Sequence, residues 1–175
     1  MTGAKGQKAC GSCYAFAGAA VHETALLKAG ADLTSMDLSE QYLIDCGVSL
    51  RMNGGCQGGL PHKTSALMVK LGGYSPSESQ WQYERARKQC PSGTLVNGTC
   101  DFEIPYQHAC EEIMSLKETW PNHGAQLTDY GYCFKNCTPE LLKHIIWNYG
   151  SAAVSVWANG KWGNYNYGTL NGYAW

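Results

Sequence analysis

Nowhere does this chain of 175 residues concentrate positive charge: 13 Lys and Arg stand against 14 Asp and Glu, and only Arg85, Arg87 and Lys88 lie near one another. A protein that tracks a phosphate backbone needs a basic patch, so there is no electrostatic footprint for nucleic acid. Long apolar runs are missing as well. A spanning helix needs about 18–20 consecutive apolar residues, and no stretch approaches that, so no membrane segment is expected. Internal repeats are absent too. Beside Cys10 and Cys13 there is no second Cys-x-x-Cys, and a zinc knuckle requires two ligand pairs, so no metal is expected.

What is present in quantity is apolar content, at 44% of residues, enough for one large domain or two small lobes with a real core. Nine cysteines are a heavy load for this length and indicate an oxidising compartment. The count is odd. Eight can pair and one remains, as in a secreted or lysosomal enzyme with a single working thiol. The sequons at Asn97 and Asn136 agree with a secretory route. Because Met1 stands only a few residues before the first motif, with no signal segment, the start is expected to be cut.

Periodicity places a helix over Tyr14 to Lys28, ended by Gly30, with Cys13 at its first turn. Ser39 reads as the N-cap of a short helix over Glu40 to Asp45. The loop that follows is rich in glycine, with Gly54, Gly55, Gly58 and Gly59 supplying unusual backbone angles. A further helix is expected from His62 to Leu71. Residues 72–128 have little periodicity apart from a weaker helical pattern over Ala109 to Glu118. Thr138 to Tyr149 reads as a capped helix with Pro139 at its first position. SAAVSVWA, from Ser151, alternates like a strand, and the remainder suggests turns and β structure. Helices first and strands later imply an α+β protein whose second half is mainly sheet.

The pair Cys10 and Cys13 admits three chemistries: a metal knuckle, a redox dithiol, or one crosslinked sulfur beside one free to attack. A redox pair is favoured by Cys13 at a helix N-terminus, where a reactive thiol belongs. Against it, no strand precedes the pair, and seven further cysteines suit stable crosslinks better. The split role fits best, with Cys10 bridged and Cys13 free.

At this point the chain resembles the papain family of cysteine peptidases. The signature reads Cys10-Gly11-Ser12-Cys13-Tyr14, and further blocks follow in the family's order: Gln7 upstream, LSEQYLIDC ending at Cys46, GCQGGLP ending at Pro61, and AVSV from Ala153. Together they cover most of the chain. The resemblance implies a two-lobe α+β fold, with a helical lobe over residues 1–90 that bears the nucleophile. Residues 91–175 would form part of an antiparallel β-barrel lobe with a cysteine-containing insertion. It implies Cys13 as nucleophile in peptide-bond hydrolysis through an acyl-enzyme, and Gln7 as the side-chain donor of an oxyanion hole. Substrate binding is implied for Gly11, for Gly58 and Gly59 as a backbone edge, and for Leu60 and Pro61 as a pocket wall. Trp157 falls near the floor of that pocket, where an indole would favour modest apolar side chains; a Trp buried in the core is the other reading. Family order pairs Cys10 with Cys56 and Cys46 with Cys90. Cys100, Cys110, Cys133 and Cys137 have no clear counterparts. The insertion after Cys90 reads as surface elaboration, with a cap over the cleft near His108 as the alternative. No cofactor is implied. Partners would be peptide or protein substrates and cystatin-like protein inhibitors, acting on a monomer.

Lys8 and Ala9 replace usually small residues, and Tyr14 replaces a commoner Trp. The larger departure is the general base, an imidazole that activates the thiol and protonates the leaving amine. His144 lies in a helical block ahead of the AVSV strand, and His22, His62, His108 and His123 fall in other wrong blocks. The family's His and Asn are therefore expected beyond Trp175, and the chain as given is expected to be incomplete and inactive. A catalytically dead homologue acting as a secreted binding protein is the alternative. A disulfide scaffold with an oxidised Cys13 is a third.

Overall fold

The computed structural model describes residues 3–32, 36–85, 104–121, 125–135 and 137–156. Five helices occur among them: α1 (Cys13–Lys28), α2 (Glu40–Ser49), α3 (Pro61–Lys70), α4 (Ile104–Ser115) and α5 (Pro139–Tyr149). Short 3-10 turns lie at Gly55–Gln57 and Lys117–Thr119. The sole β pairing among the described residues is an antiparallel bridge between Leu38 and Ser77. Residues 151–156, expected as strand, are not one, and Trp157 lies outside the described residues.

Local chemistry explains most helix ends. The chain leaves α1 through Gly30 at φ +94°, with Gly30 N–H donating to Leu27 O and Ala31 N–H to Leu26 O, the two bonds of a Schellman motif. Ser39 Oγ accepts from Tyr42 N–H at 3.1 Å and caps α2. Thr138 Oγ1 does the same for α5 by accepting from Leu141 N–H at 3.2 Å. Pro61 and Pro139 occupy first-turn positions, where their missing N–H costs nothing. The weaker helical pattern after Ala109 marks only the later part of α4, which begins at Ile104.

α2 is the centre of the core. It is buried from Glu40 to Val48, and Tyr42, Leu43, Ile44 and Val48 pack with Tyr14, Ala15 and Ala19 of α1 and Leu67 and Met68 of α3. α4 closes the same core with Tyr106, Cys110 and Ile113. Burying one such large side chain contributes roughly 1.5–3 kcal/mol. α1 and α3 cross very closely: a Cβ on Gly18 would overlap Thr64 Oγ1, which is itself tied to Pro61 O at 2.6 Å.

A buried polar network fastens the chain after α3 onto α2. Asp45 accepts from Gln41 Nε2 at 2.8 Å and from Trp81 Nε1 at 2.9 Å. Gln41 Oε1 accepts from the backbone N–H groups of Glu84 and Arg85. Each buried polar atom here thereby keeps a partner, which burial demands.

Three disulfides are described. Cys10–Cys56 joins the start of α1 to the glycine-rich loop. Cys46 pairs with Cys110, not with Cys90, because Cys46 on α2 faces α4 and the two Cα atoms stand 4.8 Å apart. Cys90 lies outside the described residues. Cys133 and Cys137 close a short surface loop. α4, in the stretch expected as surface elaboration, belongs instead to the helical core, with Tyr106 and Ile113 essentially inaccessible.

Candidate active site

Cys13 is the first residue of α1 and is exposed and unbridged. The first turn of α1 carries no acidic residue, so the positive end of a 16-residue helix faces this sulfur without competition from a carboxylate. Ser12 precedes it as N-cap residue but makes no capping bond through its side chain. Its Oγ instead pairs with Tyr83 Oη at 2.7 Å.

The segment leading to the thiol is folded back on itself. Gln7 Nε2 donates to Cys10 O at 2.8 Å, and Cys10 N–H donates to Lys8 O. Lys8 takes φ +53°, a left-handed conformation uncommon outside glycine. Gly11 N–H donates to Cys56 O at 2.9 Å, and a Cβ on Gly11 would stand 2.7 Å from that oxygen. Glycine is needed there so that the two bridged segments can touch.

Across the Cys10–Cys56 bridge lies the glycine-rich loop. Tyr14, buried beside the thiol position, donates its hydroxyl to Gly55 O at 3.1 Å. Burial pushes that phenol far above its ordinary range, so it acts only as a neutral donor. Gly58 has φ +110° and ψ 173°, a region open essentially to glycine alone. A Cβ on Gly59 would stand 2.5 Å from Asn53 Oδ1 and 2.9 Å from Tyr14 Cδ1. Asn53 Oδ1 in turn accepts from Leu60 N–H at 3.1 Å. A groove of about 420 Å³ on this loop is lined by Arg51, Asn53, Gly58, Gly59, Leu60 and Lys63, and not by Cys13 or Gln7. Leu60 is 39% exposed, and Pro61 opens α3.

Cys10 and Gly11 are therefore held against Cys56, with Gln7 bonded to Cys10 O and Cys13 opening α1 two residues on from Gly11; Trp157 lies outside the described residues. The described histidines have other surroundings. His22 is buried in α1 with Nε2 on Ser65 Oγ at 3.0 Å, and burial lowers its pKa to about 4. His62 stacks on Tyr132 at 4.7 Å, and His108 and His144 are exposed on α4 and α5. His123 lies outside the described residues. Two residues of the site, Asn53 and Tyr83, were not found from sequence. Asn53 gives no signal beyond lying in a glycine-rich loop, and Tyr83 falls in the aperiodic stretch after α3.

An exposed free thiol at a helix start, three residues from a bridged cysteine, is a sulfur suited to nucleophilic attack. In agreement, residues 1–174 match the model of the papain family of cysteine proteases, and the chain belongs to that family. Digestive cysteine proteinase 3 of Homarus americanus is 29% identical over 89% of this chain and 51% of its own length. The viral cathepsin of Bombyx mori nuclear polyhedrosis virus is 36% identical over 83% of this chain and 46% of its own. Zingipain-1 of Zingiber officinale is 39% identical over 55% of this chain and 37% of its own. The chain thus spans about half the length of the first two relatives. Membership of the family implies a papain-like α+β fold, of which the described residues supply the helical part.

Proposed function

We propose that the chain is the nucleophile-bearing part of a cysteine-type peptidase that hydrolyses peptide bonds through a thiolate acyl-enzyme. The observation that carries this is the exposed, unbridged Cys13 at the first residue of α1, beside a Cys10 that is itself crosslinked. The thiolate attacks the carbonyl carbon, a C–S bond forms, and the amine leaves with a proton; water then releases the acid. Gln7 is the side-chain donor to the oxyanion. One of its two amide hydrogens serves Cys10 O, which leaves the other for substrate. Gly58 and Gly59 take the extended substrate backbone, with Gly11 behind them, and Leu60 and Pro61 wall the pocket whose floor is Trp157.

In this reading residues 1–90 contribute to a helical lobe, joined there by α4, and the rest of 91–175 contributes to a β-barrel lobe. The working protein is a secreted or lysosomal monomer, open to peptide or protein substrates and to cystatin-like inhibitors. Of the described histidines, His22 engages Ser65 and His62 stacks on Tyr132 rather than meeting the thiol.

That last observation also favours a second reading, an inactive homologue that binds proteins. A peptidyl epoxide distinguishes them. The peptidase reading expects stoichiometric labelling of Cys13, abolished by Cys13→Ser, and turnover of a peptidyl ester when imidazole is added. No labelling, or binding of protein ligands undisturbed by Cys13→Ser with no imidazole rescue, supports the inactive homologue.

A further inference from the structure

We propose that Tyr83 is a positioning residue for the hydrolytic site, holding Gln7 in place through the Gln7 backbone carbonyl; this rests on the oxyanion role proposed for Gln7. The phenol donates to Gln7 O at 2.8 Å. A phenol carries one proton, and a carbonyl can only accept, so the 2.7 Å contact to Ser12 Oγ is one in which the serine donates. The chain Ser12 to Tyr83 to Gln7 therefore spans the whole turn between the oxyanion donor and the nucleophile with one oxygen.

Tyr83 is itself fixed from two other sides. Its ring meets Phe16 of α1 edge-on with centroids 4.9 Å apart, and its N–H donates to Glu78 Oε1 at 2.7 Å. The neighbouring Glu84 and Arg85 N–H groups are bonded to buried Gln41. An anchor is thus applied to a turn that needs one, because Lys8 holds a left-handed backbone angle and, among the described residues, the Gln7 side chain is bonded to its own loop through Cys10 O. Without the phenol oxygen, Gln7 O and Ser12 Oγ both lose their partner, and the turn is free to shift relative to Cys13. Ring packing stays.

Oxyanion alignment matters for attack on a carbonyl and not for displacement at a saturated carbon. The test exploits that difference on the full chain. A p-nitrophenyl ester reads acylation: the thiolate forms the C–S bond, the C–O bond breaks, and nitrophenolate leaves as the anion without an imidazole. Iodoacetamide reads the same thiolate with no oxyanion formed. Gln7→Ala is expected to slow acylation by roughly 100-fold while leaving alkylation within about twofold. Tyr83→Phe is expected to slow acylation about tenfold, with alkylation again unchanged. In the double variant the two losses should not multiply, because both act on one donor. Ser12→Ala, which removes only the donor to Tyr83, should fall between wild type and Tyr83→Phe.

Unchanged acylation in Tyr83→Phe, with Gln7→Ala slow, overturns the proposal and leaves the Gln7 role standing. Unchanged acylation in Gln7→Ala overturns the Gln7 role itself. Equal losses of acylation and alkylation in Tyr83→Phe, or loss of its native near-ultraviolet dichroism, also overturn the proposal, since the phenol would then support only the fold.

Discussion

Cys46 of α2 is bonded to Cys110 of α4, so a residue from the middle of the helical core is crosslinked to the insertion after Cys90. The bridge closes a long loop across two packed helices. On the loop-entropy view it contributes about 2–4 kcal/mol. Replacing both cysteines with alanine should lower the urea midpoint accordingly. Alkylation of Cys13 should persist below that midpoint, because Cys10–Cys56 and the start of α1 are held separately. Simultaneous loss of the thiol's reactivity would show that α4 supports the site directly.

Gly18→Ala should destabilise the fold by roughly 1–3 kcal/mol, since the new Cβ overlaps Thr64 Oγ1 at the crossing of α1 and α3. Thr64 cannot simply turn away without giving up its bond to Pro61 O. Adding Thr64→Ala should recover part of the loss in denaturant titrations. Equal stability of the single and double variants would show that the crossing adjusts elsewhere.

His22 sets an acid limit. Burial lowers the pKa of its imidazole to about 4, whereas in the unfolded chain it protonates near the ordinary histidine value of about 6.5. Folded-state depression means the stabilisation is present above 6.5 and is lost as pH falls toward 4. The full loss is ~3 kcal/mol at 1.4 kcal/mol per unit. Burial raises the carboxyls of Glu23, Glu40 and Glu78, whose contributions run the other way: present at low pH and lost as pH rises through their folded values. The His22 effect is therefore read by difference. His22→Gln keeps a partner for Ser65 without titrating, so its urea midpoint should fall less between pH 7 and 4 than that of wild type. Parallel curves for the two proteins would exclude His22 as the cause.

Gly59→Ala should slow acylation by a peptidyl ester about tenfold, equivalent to about 1.4 kcal/mol. A Cβ there meets Asn53 Oδ1 and Tyr14, and would push the proposed backbone edge outward. Acylation by a simple acetate ester, which does not use that edge, should change little. A matching loss with both esters would place the damage at Cys13 instead.

Residues close in sequence carried much of this protein by themselves. Small and apolar residues after Cys13, the caps Ser39 and Thr138, and Gly30 after Lys28 are short-range signals, because hydrogen bonds within a turn involve neighbours in the chain. The ordered motifs from Gln7 to Pro61 likewise carry the family resemblance in the sequence itself. Tertiary structure alone decided that Cys46 meets Cys110, that α4 enters the core, and that Ser12 and Gln7 share the oxygen of Tyr83. Those contacts join residues far apart in the chain. Their partners are selected by which helix faces come together in packing, and no local pattern of side chains encodes that choice.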